Sequence, residues 1–351
     1  MHLKSYAVLN SVDELSSMNV GLSITSKGQD YLVCSQDGFG PSCARTLPAY
    51  TYRTPDVRLI ELNPGIVLGR HLVILSPENK VAIPGGYSFS RNWAVSLTER
   101  HKDQRAELEY KSGRALILGM CSHYGHMFVD CIDRNYSKEQ LLSYDHYVVD
   151  EIRNFSDWYI LHKLGIPRDK IIELKGAAVQ FDSLSCGTNY SLKPNWSRVT
   201  LGYLRTWATS TPSLKDRKIF ITRKGATKRK FADLSTIVNS LQNVGFEALD
   251  TGECSIEQQI SIFHSSGWVV GPIGTDLFNI VFCRPGTRVI CLVQRAYFEK
   301  MGDNVQMVRS LAASSALHLS FFLCDGPEGS YDSNLNPDCN ALISLIDLLG
   351  D

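Results

Sequence analysis

The stretch that decides the fold of this chain reads Trp268-Val269-Val270-Gly271-Pro272-Ile273-Gly274-Thr275-Asp276-Leu277-Phe278-Asn279. A short apolar strand leads into a turn with two glycines, and the turn leads directly into an apolar helix predicted over Leu277–Cys283. The glycines let the backbone approach a ligand closely, and the free amides at a helix start favour phosphate. An ordinary strand-to-helix turn, with Asp276 as the helix N-cap, accounts for the same residues.

The segments around this turn alternate between strand and helix patterns. Such alternation predicts a parallel, doubly wound sheet, and ligands of such sheets bind at the carboxyl ends of the strands. The predicted strands are 218–222, 246–249, 268–270, 287–293 and 318–323, and the predicted helices are 231–244, 255–264, 277–283, 299–314 and 337–349.

The chain before this region divides into a β-rich start and an α/β layer. Short β-like runs separated by turn signals fill the first ~110 residues, and strand and helix patterns alternate from Arg114 onward. We therefore predict an N-terminal domain over 1–195, a connection over 196–215, a C-terminal domain over 216–335 and a final helix within 336–351.

The composition limits the class of protein. Lysine plus arginine equals aspartate plus glutamate, at 36 each, so the formal net charge is zero and a nucleic-acid partner is not expected. The ten cysteines are scattered without a C-x-x-C pair, which indicates reduced thiols. Residues 1–20 lack the pattern of a signal peptide, and no apolar run is long enough to span a bilayer. A cytoplasmic protein is expected.

A basic segment follows the predicted strand 218–222. It reads Thr222-Arg223-Lys224-Gly225-Ala226-Thr227-Lys228-Arg229-Lys230. A diphosphate bound at the glycine turn would need cations, and arginine offers bidentate hydrogen bonding to it. Arg223, nearest the strand end, and Lys228 are the candidates. A solvated basic turn is the alternative.

A His–Asp pair follows an earlier strand. His126 and Asp130 are four residues apart, so they share one face of a predicted helix over 124–134. Such a pair could take a proton from a hydroxyl group, although a single histidine is more often structural. A metal site formed by Cys121, His123 and His126 has no second ligand cluster to support it, so no metal is predicted.

Two glutamines are further candidates. Gln259 lies on a helix that opens with a capping-box pattern at Ser255, and it could equally be solvated. Gln294 follows the strand 287–293 at its carboxyl end, where a ribose or base contact is expected.

Together these segments resemble glycosyltransferase family 61. The matching positions are the His126–Asp130 pair with Arg134, the strand end Ile221-Thr222-Arg223, Ser255 with Gln259, and the turn from Gly271 to Asn279 followed by Pro285-Gly286-Thr287. The chain departs from the family at three places: Ile273 stands where the family has a histidine, Thr275-Asp276 where it has an Ala-Gly pair, and Asp133 where a proline is expected before Arg134. Which donor sugar is bound therefore stays open.

The resemblance implies a GT-B-like α/β fold, in which two Rossmann-like domains face each other across a cleft and the final helix packs back toward the first domain. It implies an inverting transfer from a UDP-sugar to a glycan or glycolipid acceptor, without a metal or other cofactor. The implied catalytic residues are His126 and Asp130, supported by Tyr124 and Arg134. The implied donor-binding residues are Arg223, Lys228, Gln259, Gly274, Thr275, Asp276, Asn279 and Gln294.

The lack of an anchor suggests a bacterial relative that makes capsule, lipopolysaccharide or another surface polysaccharide, either free in the cytoplasm or at the inner membrane. Two alternatives stay open. One is a non-catalytic nucleotide- or glycan-binding protein of the same fold. The other is a different Rossmann-type enzyme, although the chain lacks the G-x-G-x-x-G pattern of a dinucleotide site.

Overall fold

The computed structural model places most of the chain in two compact units. Unit 1 comprises Met1–Gln29 and Thr54–Leu192, and unit 2 comprises Asp30–Arg53 and Lys193–Asp351. The structure describes residues 7–8, 21–26, 30–33, 36–40, 43–53, 57–69, 72–76, 81–84, 108–119, 124, 127, 141–153, 155–187, 198–208, 217–300, 303–324 and 333–350.

The described elements are numbered along the chain. The strands are β1 (Ala7–Val8), β2 (Gly21–Ser26), β3 (Asp30–Val33), β4 (Gln36–Gly40), β5 (Cys43–Leu47), β6 (Tyr50–Arg53), β7 (Val57–Leu62), β8 (Gly65–Leu68), β9 (Val73–Ser76), β10 (Val81–Pro84), β11 (Leu108–Gly119), β12 (His146–Val149), β13 (Ile171–Glu173), β14 (Ala178–Gly187), β15 (Arg217–Ile221), β16 (Phe246–Leu249), β17 (Ser266–Pro272), β18 (Arg288–Gln294) and β19 (His318–Cys324). The α-helices are α1 (Phe155–Lys163), α2 (Arg198–Thr206), α3 (Leu234–Gln242), α4 (Ile256–Ser265), α5 (Arg295–Glu299), α6 (Asp303–Ser314) and α7 (Cys339–Gly350).

Unit 1 is built on a mixed sheet. The neighbouring strands β14, β11, β12 and β13 are parallel, whereas β7 and β8 pair antiparallel with the two halves of β14. The inner residues of β11 are fully buried because this strand lies in the middle of the sheet: Ala115, Leu116 and Ile117 are 0 % exposed. The apolar run predicted as a strand at 115–118 is therefore the buried end of a longer strand.

Unit 2 contains the parallel sheet predicted from the C-terminal sequence. Its strand order is β16-β15-β17-β18-β19, and all four pairings are parallel. In sequence order this is a 2-1-3-4-5 doubly wound sheet, whose strand order reverses between its first and third strands. The reversal therefore lies between β15 and β17, the strands that precede the basic segment and the glycine turn.

The residues Asp30–Arg53 group with unit 2, whereas the sequence placed them in the N-terminal domain. The cause is a long-range strand pairing: β4 runs parallel to β19 and extends the sheet, and β5 pairs antiparallel with β4. The buried side chain of Arg309 on α6 also donates to the carbonyl oxygens of Leu47 and Pro48, at 3.4 and 2.7 Å.

Side-chain caps mark the starts of α3 and α4, and α3 begins at Leu234, three residues after its predicted start at 231. Asp233 accepts from the amide of Thr236 at the start of α3, and hydrogen bonds from Thr236 and Ser235 lower the pKa of its carboxyl group to about 2. Ser255 and Gln258 form the reciprocal capping box at the start of α4. The final helix, α7, buries Leu342 and two neighbouring apolar residues in the core of unit 2, and its predicted packing toward the first domain stays a prediction.

Two helix predictions are corrected. The segment predicted as an apolar α-helix after the glycine turn is a 3₁₀ helix over Thr275–Phe282. Both of its ends show the i→i+3 pattern, because the amide of Leu277 donates to the carbonyl of Gly274 and the amide of Cys283 to the carbonyl of Ile280. The helix predicted over 299–314 begins four residues later, as α6, and the separate short helix α5 precedes it. Within the described ranges, no helix is both long and apolar enough to cross a bilayer.

Candidate functional site

The candidate site lies in unit 2, at the carboxyl ends of β15, β16 and β17. We call this place the carboxyl edge. Parallel strands present all their carboxyl ends at one edge, and loops that leave neighbouring strands in opposite directions open a crevice there. The basic segment, the turn after β16 and the glycine turn are therefore brought together by the sheet topology.

The two glycines of the turn serve different contacts. A Cβ atom at Gly271 would lie 2.8 Å from Cδ1 of Ile221, so this glycine permits β17 to pack closely on β15. Gly274 has a φ of 152°, a value that favours glycine, and a Cβ atom there would lie 2.5 Å from Nη1 of Arg223 and 3.4 Å from Nη1 of Arg229. Two guanidinium groups therefore occupy the space beside the α-carbon of Gly274.

Both arginines adopt backbone conformations that are unfavourable for residues with a side chain. Arg223 has a φ of 51° and Arg229 a φ of 55°. Each such residue costs about 1–3 kcal/mol, and residues of this kind concentrate at functional sites. The left-handed residues turn the basic segment back on itself, so that the side chain of Arg229, eight positions after the end of β15, reaches the same glycine as Arg223.

Asp276 supplies the negative charge at this place. Its Oδ2 atom lies 2.9 Å from Nη1 of Arg223, whose side chain is only 9 % exposed. Its Oδ1 atom accepts a hydrogen bond of 2.8 Å from the hydroxyl of Thr251. Asp276 thus pairs with Arg223, and the side chains of Arg223, Arg229 and Asp276 together carry one net positive charge. Asp276 is not the N-cap of the following helix, since that position is Gly274.

Asp250 fixes the basic segment to the turn after β16. Its Oδ2 atom accepts from the amide of Gly225, at 3.2 Å, and its Oδ1 atom accepts from the amide of Gly252, at 3.0 Å. The chain also joins the two strand ends directly, because the amide of Thr222 donates to the carbonyl of Leu249. At the far end of the basic segment the carbonyl of Lys230 accepts from the amide of Leu335, so the loop that carries the arginines is anchored at both ends.

Gln259 and Asn279 lie in the interior, directly beneath the turns. The Asn279 amide donates to Oε1 of Gln259 at 2.8 Å, and Nε2 of Gln259 donates to the carbonyl oxygens of Thr251 and Cys254, at 3.0 and 3.2 Å. Asn279 is 0 % exposed. Buried amides with protein partners on both sides hold a structure together, so these two residues position the turns around Asp276.

The remaining donor-binding candidates occupy three kinds of environment. Thr275 is half-buried at the first position of the 3₁₀ helix. Gln294 is buried at the end of β18 and donates to the carbonyl of Asn334. Lys228 is exposed.

The residues predicted as catalytic cannot be placed. His126, Asp130 and Arg134 lie outside the described residues, as do Cys121 and His123 of the alternative metal site. Tyr124 is described and is half-buried. The predicted roles of these residues stay predictions.

Arg229 is the functional candidate that the sequence analysis missed. The sequence shows five basic residues in one segment and gives no reason to prefer Arg229 over Lys228. The distinction depends on the two left-handed residues, which send the Arg229 side chain inward while Lys228 stays exposed. The chemical preference of phosphate sites for guanidinium groups is the only sequence signal that favours Arg229.

Residues 124–290 match the model of the family described as Glycosyltransferase 61. The resemblance seen in the sequence is confirmed over this range, which includes the basic segment, the α4 helix and the glycine turn. The match supports a glycosyltransferase. No curated protein matches the chain.

Proposed function

We propose that the chain is an inverting glycosyltransferase that transfers a sugar from a UDP-sugar to a hydroxyl group of a glycan or glycolipid. The observation that carries the proposal is the convergence of Arg223 and Arg229 on Gly274 at the point where the strand order reverses. In this proposal the donor's diphosphate lies against the α-carbon of Gly274, where no side chain separates it from the arginines.

The charges suit a leaving diphosphate. Negative charge grows on the diphosphate as the bond to the sugar breaks, and fixed cations that are already oriented lower the energy of that state. Two like charges this close repel by roughly 3 kcal/mol at an effective dielectric constant of about 20, and an anion between them removes that repulsion. Asp276 offsets part of this charge through Arg223, so a bound diphosphate and Asp276 share the same guanidinium group.

The acceptor's proton would go to the His126–Asp130 pair, in the part of the matched range that lies before unit 2. A base on a domain across a cleft from the donor is what a GT-B arrangement requires, and that arrangement is part of the proposal. Inversion needs one displacement at the anomeric carbon, for which one base suffices.

Nucleotide binding is the first test. UDP or a UDP-sugar should raise the melting temperature, because a ligand that binds only the folded state stabilises it. ADP, GDP and CDP serve as matched controls for the base. If no nucleotide shifts the melting temperature, the donor site is refuted.

Turnover is the second test. His126→Ala and Asp130→Asn should abolish transfer or slow hydrolysis of the UDP-sugar while the UDP-induced shift remains. If both variants keep the full rate, the base lies elsewhere. Nucleotide binding without any turnover in the native chain would instead support a non-catalytic binding protein.

The acceptor class defines the wider role. A bacterial surface polysaccharide such as capsule or lipopolysaccharide is the proposed product, made in the cytoplasm or at the inner membrane. Release of UDP in the presence of defined lipid-linked glycans, compared with the same glycans without lipid, tests whether the acceptor is a glycolipid.

A further inference from the structure

The opposite edge of the same sheet carries a second concentration of positive charge. An open depression of about 370 Å³ lies at the amino ends of β15, β17 and β18. We call it the amino-edge depression. Its volume lies within the range of roughly 300–1,000 Å³ that is usual for small-molecule sites. It is lined by Lys218, Ser266, Gly267, Trp268, Arg284, Pro285, Gly286, Thr287 and Arg288.

Three of these lining residues are cations and none is an acid. Arg284 and Arg288 make no ion pair with any residue in the described part of the chain. The nearby Arg217 is different, because it pairs with Glu247 at 2.7 Å. The positive charge of the depression is therefore not offset by its own lining.

Two of the cations are held in place by aromatic rings. The guanidinium group of Arg288 lies over the ring of Trp268, at 5.0 Å, and the ammonium group of Lys218 lies over the ring of Phe246, at 5.6 Å. Lys218 also donates to the carbonyl of Val244. Trp268 and Phe246 contact each other edge to face, so they form one platform beneath both charges. Side chains held in this way lose little conformational entropy when they bind a ligand.

We propose that the amino-edge depression binds a phosphate-bearing ligand, which is either the headgroup of an anionic phospholipid or a soluble phosphate ester. Three cations without an acid favour a group that can carry two negative charges, and guanidinium groups match phosphate oxygens in pairs. This site is separate from the carboxyl edge. Ser266 and Pro272 are the two ends of β17, and six residue steps of about 3.3 Å put them roughly 20 Å apart.

The first experiment titrates pyrophosphate by calorimetry into the native chain, Arg284→Gln and Lys300→Gln. Arg284 makes no hydrogen bond with its side chain among the described residues, so its substitution should leave the fold intact, and equal melting temperatures check this. Lys300 is an exposed cation of the same unit, outside the depression. We expect Arg284→Gln to weaken one class of binding sites about tenfold, the effect of one charge-assisted contact, and Lys300→Gln to change it less than twofold.

A second class of sites at the carboxyl edge should persist in Arg284→Gln. If the native chain has only one class of pyrophosphate-binding sites and Arg284→Gln abolishes binding to it, the amino-edge proposal stands while the donor-site proposal fails. Arg288→Gln repeats the test with a variant that also removes the contact over Trp268.

The second experiment identifies the source of the phosphate. Co-sedimentation with phosphatidylcholine vesicles is compared with and without phosphatidylglycerol. Binding to the anionic vesicles that Arg284→Gln abolishes assigns a lipid headgroup, and a pyrophosphate effect alone assigns a soluble ester. If Arg284→Gln and Arg288→Gln match the native chain in both experiments, the proposal is overturned.

Discussion

The two edges of the parallel sheet in unit 2 both gather arginines around a glycine, yet they do so in opposite ways. At the carboxyl edge, Arg223 and Arg229 have left-handed backbones and lie beside Gly274, and Arg223 pairs with the carboxylate of Asp276. At the amino edge, Arg284 and Arg288 line an open depression that holds no carboxylate. The positive charge is thus confined and partly offset at one edge, and open to solvent at the other.

The two edges differ in how firmly the structure fixes their charged groups before a ligand binds. Strain, burial and an internal counter-ion fix the carboxyl edge before any ligand arrives, as expected where charge must be stabilised during a reaction. The amino edge has aromatic support for its cations but no strained arginine. That arrangement suits binding without chemistry.

The largest effect should come from Gly274→Ala. The new methyl group would meet Arg223 Nη1 at 2.5 Å and displace that guanidinium group, and it would fill the space against the α-carbon where the diphosphate is proposed to lie. One charge-assisted contact and the close approach of the diphosphate are lost together, so UDP affinity should fall at least about 100-fold. Calorimetry with UDP measures this loss.

Two glycines provide the controls for this substitution. A Cβ atom at Gly225 or at Gly286 would meet nothing within 4 Å, and only Gly286 has a positive φ, of 85°. Gly225→Ala should therefore change neither the UDP affinity nor the stability. Gly286→Ala should lower only the free energy of unfolding, by about 1–2 kcal/mol. If the UDP affinity falls as far in Gly286→Ala as in Gly274→Ala, UDP binding does not distinguish the two edges.

The buried amide pair comes next. Asn279→Ala leaves the Gln259 oxygen without its amide donor, so the free energy of unfolding should fall by about 2–3 kcal/mol in urea denaturation. Asn239→Ala is the matched control, because Asn239 is exposed on α3 and its loss should cost less than about 0.5 kcal/mol. A loss of UDP binding at unchanged stability would make Asn279 a direct donor contact instead.

Arg229→Gln should weaken UDP binding about tenfold, since one charge-assisted contact is removed while Arg223 remains. Lys228→Gln changes the neighbouring residue by the same chemistry, and it should have at most about a threefold effect because Lys228 is exposed. Comparing the two affinities shows whether Arg229, indicated by the structure, or Lys228, indicated by the sequence, contributes more to UDP binding. A greater loss in Lys228→Gln would favour the latter.

The smallest effect is expected for Asp276→Asn, and it has the opposite sign. Removing the carboxylate frees Arg223 from its counter-ion, so UDP affinity should rise about three- to fivefold, by roughly 0.6–1 kcal/mol. Thr251→Val removes only the hydrogen bond to Asp276 and should change the affinity less. Weaker binding in Asp276→Asn would mean that the carboxylate holds Arg223 in its binding position.

Most of unit 2's sheet could be predicted because its information is local. Apolar runs such as Lys218–Thr222 signal a strand by themselves, and the capping-box pattern at Ser255 marks the start of α4 as expected. The place of Asp30–Arg53 could not be predicted. β4 pairs with a strand almost the whole chain away, and nothing within a short window of sequence specifies that partner.

The sequence predicts which loops form the candidate site, but not which of their side chains turn inward. Strand ends and glycines located Arg223 and Gly274 correctly at one edge of the sheet. Backbone handedness at Arg223 and Arg229 decides which basic side chain turns inward, and propensities for arginine do not signal it. The hydrogen bond between Asn279 and Gln259 likewise depends on the distance between two turns in the folded chain, which their spacing in the sequence does not determine.

Because β4 pairs with β19, residues 30–53 belong to the same unit as the C-terminal segment, and no single cleavage of the chain separates the two units. The chain crosses between them after Gln29, after Arg53 and after Leu192. A fragment that starts at Lys193 would expose the edge of β19 and remove the carbonyl acceptors of the buried Arg309, so it should aggregate. On the ribosome, residues 30–53 emerge long before the sheet that they complete. Transplanting unit 2 into another protein would therefore require these residues to be fused ahead of it.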